Sequence, residues 1–322
     1  MKSIYMDERW EKLQEVKEGG VAYRYIHEAD GTRIVYPFIK RAAGIVNGID
    51  YYDIVTPRGV AGIWFENADP ASSSEIPYRK AVQGFQTEFK ALCAEQRIIA
   101  EFVRFSPWSD DYKAFSEIYR MREYGTNYCN RLTCNFFDEE YPARKRSKIR
   151  KMQREGARIS FGKDATYIEN FLNLYTNTQE KYNVSEYHRL NESFIRRYLE
   201  TFPEEVIFAQ AHFDERVIVS ALILQGPDIA HFHFGGSDPA YHHLDANSLL
   251  LYEAALYAAE KGMKMFDLGD AQPGSALERF KQNTAKGYPY LVGTKIQNEN
   301  IYQQLVEKAG GPRIGYFPEY RR

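Results

Sequence analysis

The sequence predicts an α/β (α+β) chain built from two similar halves, each a mixed, largely antiparallel sheet flanked by helices. Three observations predict it. The stretch from His231 to Lys281 reads as a strand, a glycine break, an amphipathic helix, a short strand and a basic loop, which is a βαβ unit. Each half runs through the same succession of hairpin, third strand, loop, long helix and further strand, offset by roughly 170 to 180 residues, as duplication of one unit gives. A basic run opening at Tyr141 separates the halves, so residues 1–140 are expected as one domain and 141–322 as a second.

Composition narrows the class. At 322 residues the chain has room for two domains of ordinary size. Hydrophobic residues at 44% are enough for real cores, and charged residues at 27% are ordinary for a soluble protein. A formal net charge of -2 argues against a dedicated nucleic-acid binder, although a local basic patch can still meet phosphates. Cys93, Cys129 and Cys134 form no Cys-x-x-Cys pair and leave an odd count, which points to reduced thiols and a cytoplasmic location. The charged start, Met1 to Trp10, lacks the apolar stretch of a signal peptide, and no run approaches the length of a membrane span. Aromatic residues at 15% fit aromatic-rich cores better than binding platforms.

Taken in order, Asp7 to Lys17 has Trp10, Leu13 and Val16 at helical spacing. Strands Val21–His27 and Ile34–Ile39 are joined by a turn at Asp30-Gly31, with Pro37 marking the second as an edge or a bulge. Tyr51–Val55 is a third strand, and 67–76 a polar loop. A helix over Tyr78–Glu95 carries Ala81, Phe85, Phe89 and Leu92 on one face. Strand Ile98–Phe105, a helix around Tyr112–Met121 and strand Thr126–Asn135 close the first half. In the second half, helices are expected over Thr166–Tyr182, Asn191–Glu200 and Leu244–Glu260. Strands are expected over Val206–Phe213, Val217–Leu224, Ile229–Phe234 and Lys264–Leu268. This order, an antiparallel meander followed by a helix and a further strand, is that of an acyltransferase domain of the GNAT type. The chain reads as a tandem pair of such domains.

Several residues carry chemistry. A strand that splays at Gly235 and Gly236 before a helix leaves backbone groups free to hold a ligand. Lys281 beside a strand end can neutralise phosphates or a developing oxyanion, and its spacing equally fits a surface lysine. Four of the seven histidines, His231, His233, His242 and His243, lie close in sequence. Strand alternation puts His231 and His233 on one face, but no third ligand stands at metal-site spacing, so no metal is expected. Asp267 and Asp270 fit either a base that orients an amine or a capped turn. The run Tyr141 to Gly156 fits a solvated helix or a phosphate-facing one. No Gly-x-Ser-x-Gly, Walker loop or Cys/His nucleophile pattern occurs, nor the Arg/Gln-x-x-Gly-x-Gly/Ala run that cradles coenzyme A pyrophosphate.

Three segments resemble the Fem family of peptidyltransferases, FemX type. They are Tyr141-Pro-Ala-Arg-Lys-Arg-Ser-Lys-Ile-Arg-Lys151, Phe234-Gly-Gly-Ser237, and Phe266-Asp-Leu-Gly269 followed by Leu277 and Phe280-Lys281. The resemblance covers most of the chain and is densest from Tyr141 onward. It implies two GNAT-like domains and transfer of an amino acid from aminoacyl-tRNA to an amine of a peptidoglycan precursor, a step of cell-wall biogenesis. It implies Lys281 near the reacting carbonyl, with Phe280 beside it, and Phe234 contacting substrate where the family often has tyrosine. It also implies Arg189 and Lys12 as grips on the acceptor's diphosphate. Ser106 stands where the family has an aspartate that is a candidate base. No cofactor is implied, since the acyl donor is a co-substrate.

Three functions follow as expectations. The first is an aminoacyl- or acyltransferase acting on an amine of a nucleotide- or lipid-linked sugar or peptide, with aminoacyl-tRNA as donor. The second is an acyl-CoA-dependent N-acyltransferase of envelope or secondary metabolism. The third is a binding protein on a decayed transferase fold.

Overall fold

The computed structural model describes residues 1–66, 75–181 and 191–321. The expected polar loop lies mostly outside the described residues, at 67–74. The chain divides into two compact units: Tyr5–Tyr124 with Pro289–Arg322, and Gly125–Tyr288 with Met1–Ile4. The expected boundary at 140/141 therefore falls inside one unit, because the strand that precedes it already pairs within that unit.

In the unit that starts at Tyr5, helix α1 (Glu8–Glu18) is capped by the Asp7 carboxylate on Arg9 N–H and stopped by left-handed Gly19. Strands β1 (Val21–Ala29), β2 (Thr32–Val46) and β3 (Ile49–Val55) form an antiparallel meander, with β4 (Trp64–Phe65) pairing β2. Helix α2 (Glu75–Glu95) leads to β5 (Ile98–Arg104), which pairs parallel to β3.

Strand β2 is not an edge. It pairs β1 on one side, and β3 and β4 on the other. Pro37 lies between the β4 and β3 partners, where that second side asks no N–H of it. The core is aromatic: Tyr36, Phe38, Phe85, Phe89 and Phe115 are buried together, with Phe85 stacked on Phe89 at 5.5 Å.

The expected helix around Tyr112–Met121 is instead one short 3-10 turn, Asp111–Phe115, followed by strand β6 (Arg120–Arg131). Tertiary demands override the local pattern here. Phe115 enters the core, and the Tyr119 hydroxyl donates to the buried Glu101 carboxylate, which Tyr36 and Gln297 also approach.

The other unit begins within β6. Helices α3 (Phe136–Glu140) and α4 (Ala143–Arg154) are followed by β7 (Arg158–Gly162), α5 (Ala165–Lys181) and α6 (Glu192–Thr201). Strands β8 (Val206–Phe213), β9 (Arg216–Gln225) and β10 (Ile229–Ser237) form the second meander. Helix α7 (Ala246–Glu260) crosses to β11 (Met265–Asp270), which runs parallel to β10 with His231 opposite Asp267. A short helix α8 (Ala276–Gln282) follows. The sheet order within this unit is β6, β11, β10, β9, β8, β7. Leu249, Leu250, Ala254 and Ala258 of α7 are buried in the core beside Ala221, Ile223, Ala230 and Phe266 of the sheet.

The chain then continues through β12 (Lys286–Ile296) and α9 (Glu299–Lys308), and β12 pairs antiparallel to β5 from Val292 onward. Both units thus contain an antiparallel meander, a helix and a strand parallel to the third one, the mixed sheet flanked by helices that the sequence predicts.

Gly235 and Gly236 do not break strand β10, but its pairing with β11 ends at His231, so the two strands part before the glycines as expected. The glycines pair with Ala221 and Ser220 of β9, and the strand continues to Ser237. Their smallness serves packing: a Cβ on Gly236 would meet the carbonyl carbon of Leu174 in α5 at 2.4 Å. Gly236→Ala is expected to cost roughly 3 kcal/mol, because backbone must move to admit one methyl group. Urea unfolding at 25 °C checks it, and an unchanged midpoint contradicts the close approach.

Candidate functional site: a buried lysine at the end of the crossover strand

The site is built where β11 ends. Asp267 closes the regular part of the strand, Gly269 takes a left-handed conformation at φ +72, and after this irregularity Asp270 pairs with Asn127 of β6. The chain returns as α8, so the expected basic loop at Leu277–Lys281 is a helix. Its Ser275 hydroxyl accepts Glu278 N–H, and the Glu278 carboxylate accepts Gly274 N–H. The Ser-x-x-Glu spacing is a capping signal that predicts this helix from sequence.

Helix α8 carries Lys281 inward. It is only 6% exposed, and its ammonium donates to the Asp270 carbonyl at 2.6 Å. Burial pushes the lysine pKa down from 10.5 to about 8, while the negative charges of Asp270 and Asp267 act in the opposite direction. At neutral pH the amine is still mostly protonated, so the site presents a cation that has lost nearly all its water.

Phe280 packs against the core of the unit with the Lys145 ammonium over its ring at 4.8 Å. Lys145, from α4, also bonds Ser248 at 2.7 Å and the Asp245 carboxylate at 3.1 Å, and Lys148 lies 3.3 Å from the same carboxylate. These groups occupy the start of α7, where free backbone groups were expected to hold a ligand. Lys145 was hidden in the basic run because spacing does not tell which of its cations turns inward.

On α4, Arg146, Arg150 and Arg154 follow one another at four-residue spacing and, with Ala143, Ser147 and Gln153, line an open surface groove. Arg146 pairs with Asp138. Among the described residues no ion pair involves Arg150 or Arg154.

The remaining predicted residues fall as follows. Phe234 is half-buried and packs on Tyr175 of α5 at 5.6 Å and Tyr198 of α6 at 6.2 Å. A bulge between Phe232 and Phe234 interrupts simple alternation in β10. His231 and His233 accordingly go to different partners, His231 to Ser3 and Asp267, His233 to the Tyr198 hydroxyl at 2.7 Å. Among the described residues, no group of three His, Cys, Asp or Glu is placed to hold a metal. Lys12 lies on α1 of the other unit, exposed, 3.1 Å from Glu15. In that unit Ser106 Oγ accepts Trp108 N–H at 3.2 Å. Arg189 lies outside the described residues.

Residues 142–282 match the family model described as an acetyltransferase (GNAT) domain. No curated protein matches the chain. Among solved structures, the crystal structure of FemX is similar over 94% of each chain at 14% identity, with a TM-score of 0.70. The C-terminal domain of a putative lysylphosphatidylglycerol synthetase from Agrobacterium fabrum is similar over 94% of this chain and 95% of its own, at 14% identity and a TM-score of 0.56. The L-PGS structure from Bacillus licheniformis aligns over 94% and 96%, at 11% identity and a TM-score of 0.53. The domain match and the fold together define a chain of the GNAT fold class. Over nearly its whole length the chain has the FemX-type fold.

Lys281 has a consequence for stability. Below pH 8 both folded and unfolded chains hold its proton, and the full penalty of a desolvated ammonium is present. Between pH 8 and 10.5 the unfolded chain binds a proton that the folded chain has released, so the penalty fades as pH rises. Lys281→Met is therefore expected to stabilise the fold at pH 7 by on the order of 1–2 kcal/mol, after the lost bond to Asp270 is offset. The gain should shrink toward pH 10, and urea titrations at the two pH values check both size and sign.

Proposed function

We propose that this protein is an aminoacyl- or acyltransferase that forms an amide on an amine of a peptidoglycan-precursor-like or amino-sugar acceptor, with aminoacyl-tRNA as donor. The observation that carries the reading is the desolvated Lys281 ammonium at the end of β11. A fixed cation in a dry setting stabilises an oxyanion far better than one in water. The acceptor amine attacks the ester carbonyl of the donor, negative charge develops on the carbonyl oxygen, and Lys281 stabilises it. The intermediate then collapses with loss of the donor's ribose hydroxyl. No covalent enzyme intermediate is required.

The FemX-type fold supports the donor class, and the A. fabrum neighbour, named a lysylphosphatidylglycerol synthetase, supports a lipid-linked acceptor as well as a nucleotide-linked one. Phe234 and Phe280 are assigned to substrate contact, and Lys12 and Arg189 to the acceptor's phosphates. The Arg146–Arg150–Arg154 row on α4 suits the phosphate backbone of a charged tRNA. Successive arginines one turn apart rise about 6 Å, close to the phosphate step of one strand.

A second reading, an acyl-CoA-dependent N-acyltransferase, is favoured by the acetyltransferase description of residues 142–282. Against it, the chain lacks the Arg/Gln-x-x-Gly-x-Gly/Ala run that cradles coenzyme A pyrophosphate.

Mass-spectrometric screening of charged tRNAs and acyl-CoAs against nucleotide- and lipid-linked amines separates the two readings, and consumption of neither donor sinks both. With the active pair in hand, Lys281→Ala should keep the fold and lose at least about 100-fold in kcat. Wild-type activity should fall as pH rises through about 8, where the ammonium is lost. A rate that climbs through pH 8 would assign Lys281 to base catalysis instead. Arg150→Glu with Arg154→Glu should raise KM for charged tRNA roughly tenfold and flatten its salt dependence, with little change in kcat. An unchanged KM removes α4 from donor binding.

A further inference from the structure

Beneath Lys281 runs a buried chain of polar groups that the proposed reaction does not use. Ser3 Oγ lies 2.8 Å from His231 Nε2, and His231 Nδ1 lies 3.0 Å from Asp267 Oδ2. Asn127 Nδ2 donates to the same carboxylate at 3.1 Å. The other oxygen, Oδ1, accepts Gly269 N–H at 2.8 Å. His231 and Asp267 are each 1% exposed and Ser3 is 8% exposed. A carboxylate can only accept, so Nδ1 carries the hydrogen, which leaves Nε2 to face the Ser3 hydroxyl.

The order serine, histidine, aspartate is that of a nucleophilic triad, but the surroundings are not. The serine is buried, at 8% exposure. The far end of the chain is more informative. Asp267 holds the N–H of Gly269, the left-handed residue of the turn. That turn aims the next carbonyl, Asp270, at the Lys281 ammonium.

We propose that Asp267 is the positioning residue for Lys281: clamped by His231 and Asn127, its carboxylate locks the Gly269 turn and fixes where the ammonium points. The role in catalysis rests on the reading that Lys281 faces the reacting carbonyl; the network itself does not. Strand β11 supplies the charges that act on this lysine, Asp270 and Asp267, and His231 of β10 lies behind Asp267. Nearby in the chain, Lys145 of α4 lies over the Phe280 ring, and Glu278 of α8 accepts from the Tyr128 hydroxyl of β6. Of these, Asp267 alone both carries a charge that favours the ammonium and holds the turn backbone.

The test needs no substrate. In the full chain labelled with 13C-lysine, the Lys281 Cε resonance is assigned by its loss in Lys281→Met and followed against pH. The wild-type midpoint is expected near 8. Asp267→Asn is expected to move it down by roughly half a unit or more, because a buried negative charge is lost. A folded Asp267→Asn with an unmoved or raised midpoint overturns the proposal. Should that variant not fold, the His231→Ala and His231→Gln pair decides. Ala removes the donor to Asp267 and should shift the midpoint, while Gln supplies an amide N–H and should restore it. No shift with Ala, or no rescue with Gln, also overturns it. Since the readout is independent of turnover, a shifted midpoint in a protein that transfers no acyl group refutes the proposed function and leaves the positioning role standing.

Discussion

An ammonium group removed from water must be held by something, and here a single backbone carbonyl does most of the holding. The bond from Lys281 to the Asp270 carbonyl fixes the end of β11 to α8. It requires the left-handed turn at Gly269, and the turn in turn requires the Asp267 carboxylate on its N–H. The parallel pairing of β10 with β11 puts His231 opposite Asp267 and so supplies that buried carboxylate with a hydrogen-bond partner. Remove the parallel register and the lysine has neither its carbonyl nor its counter-charge.

The same unit shows what one of its glycines does. In a nucleotide-binding turn, glycine admits a phosphate close to the backbone. In β10, glycine admits another piece of backbone, that of Leu174 in α5, and the strand stays paired on its other side. The start of α7 is likewise filled, by the Lys145 ammonium bridging Asp245 and Ser248. The unit's side-chain cations are then of two kinds: Lys281 is buried, and the arginine row of α4 lines an open groove.

Much of the architecture was legible in the sequence, and the misses have physical causes. The meanders and crossovers were readable because half-buried strands alternate and buried helices repeat every three to four residues. The Tyr112–Met121 region misled because Phe115 and Tyr119 fit helical spacing but are claimed by different core contacts, one of them the buried Glu101. Pro37 misled because an interior strand can have a local gap on one side. Helix α8 is too short for a hydrophobic repeat to mark it, and only the Ser275 and Glu278 start signal distinguishes it from a loop.

The sequence by itself determined the fold class, the tandem order of elements and the prominence of Phe280-Lys281, because periodicity, turn chemistry and short motifs are local properties. Only the tertiary structure decided that Lys281 is desolvated, that Lys145 turns inward while Arg150 and Arg154 stay on the surface, and that Ser3 and Asn127 belong to the same hydrogen-bonded chain as Asp267. Those facts join residues more than a hundred positions apart. A charge's environment depends on what packs around it, which no reading of neighbours along the chain supplies.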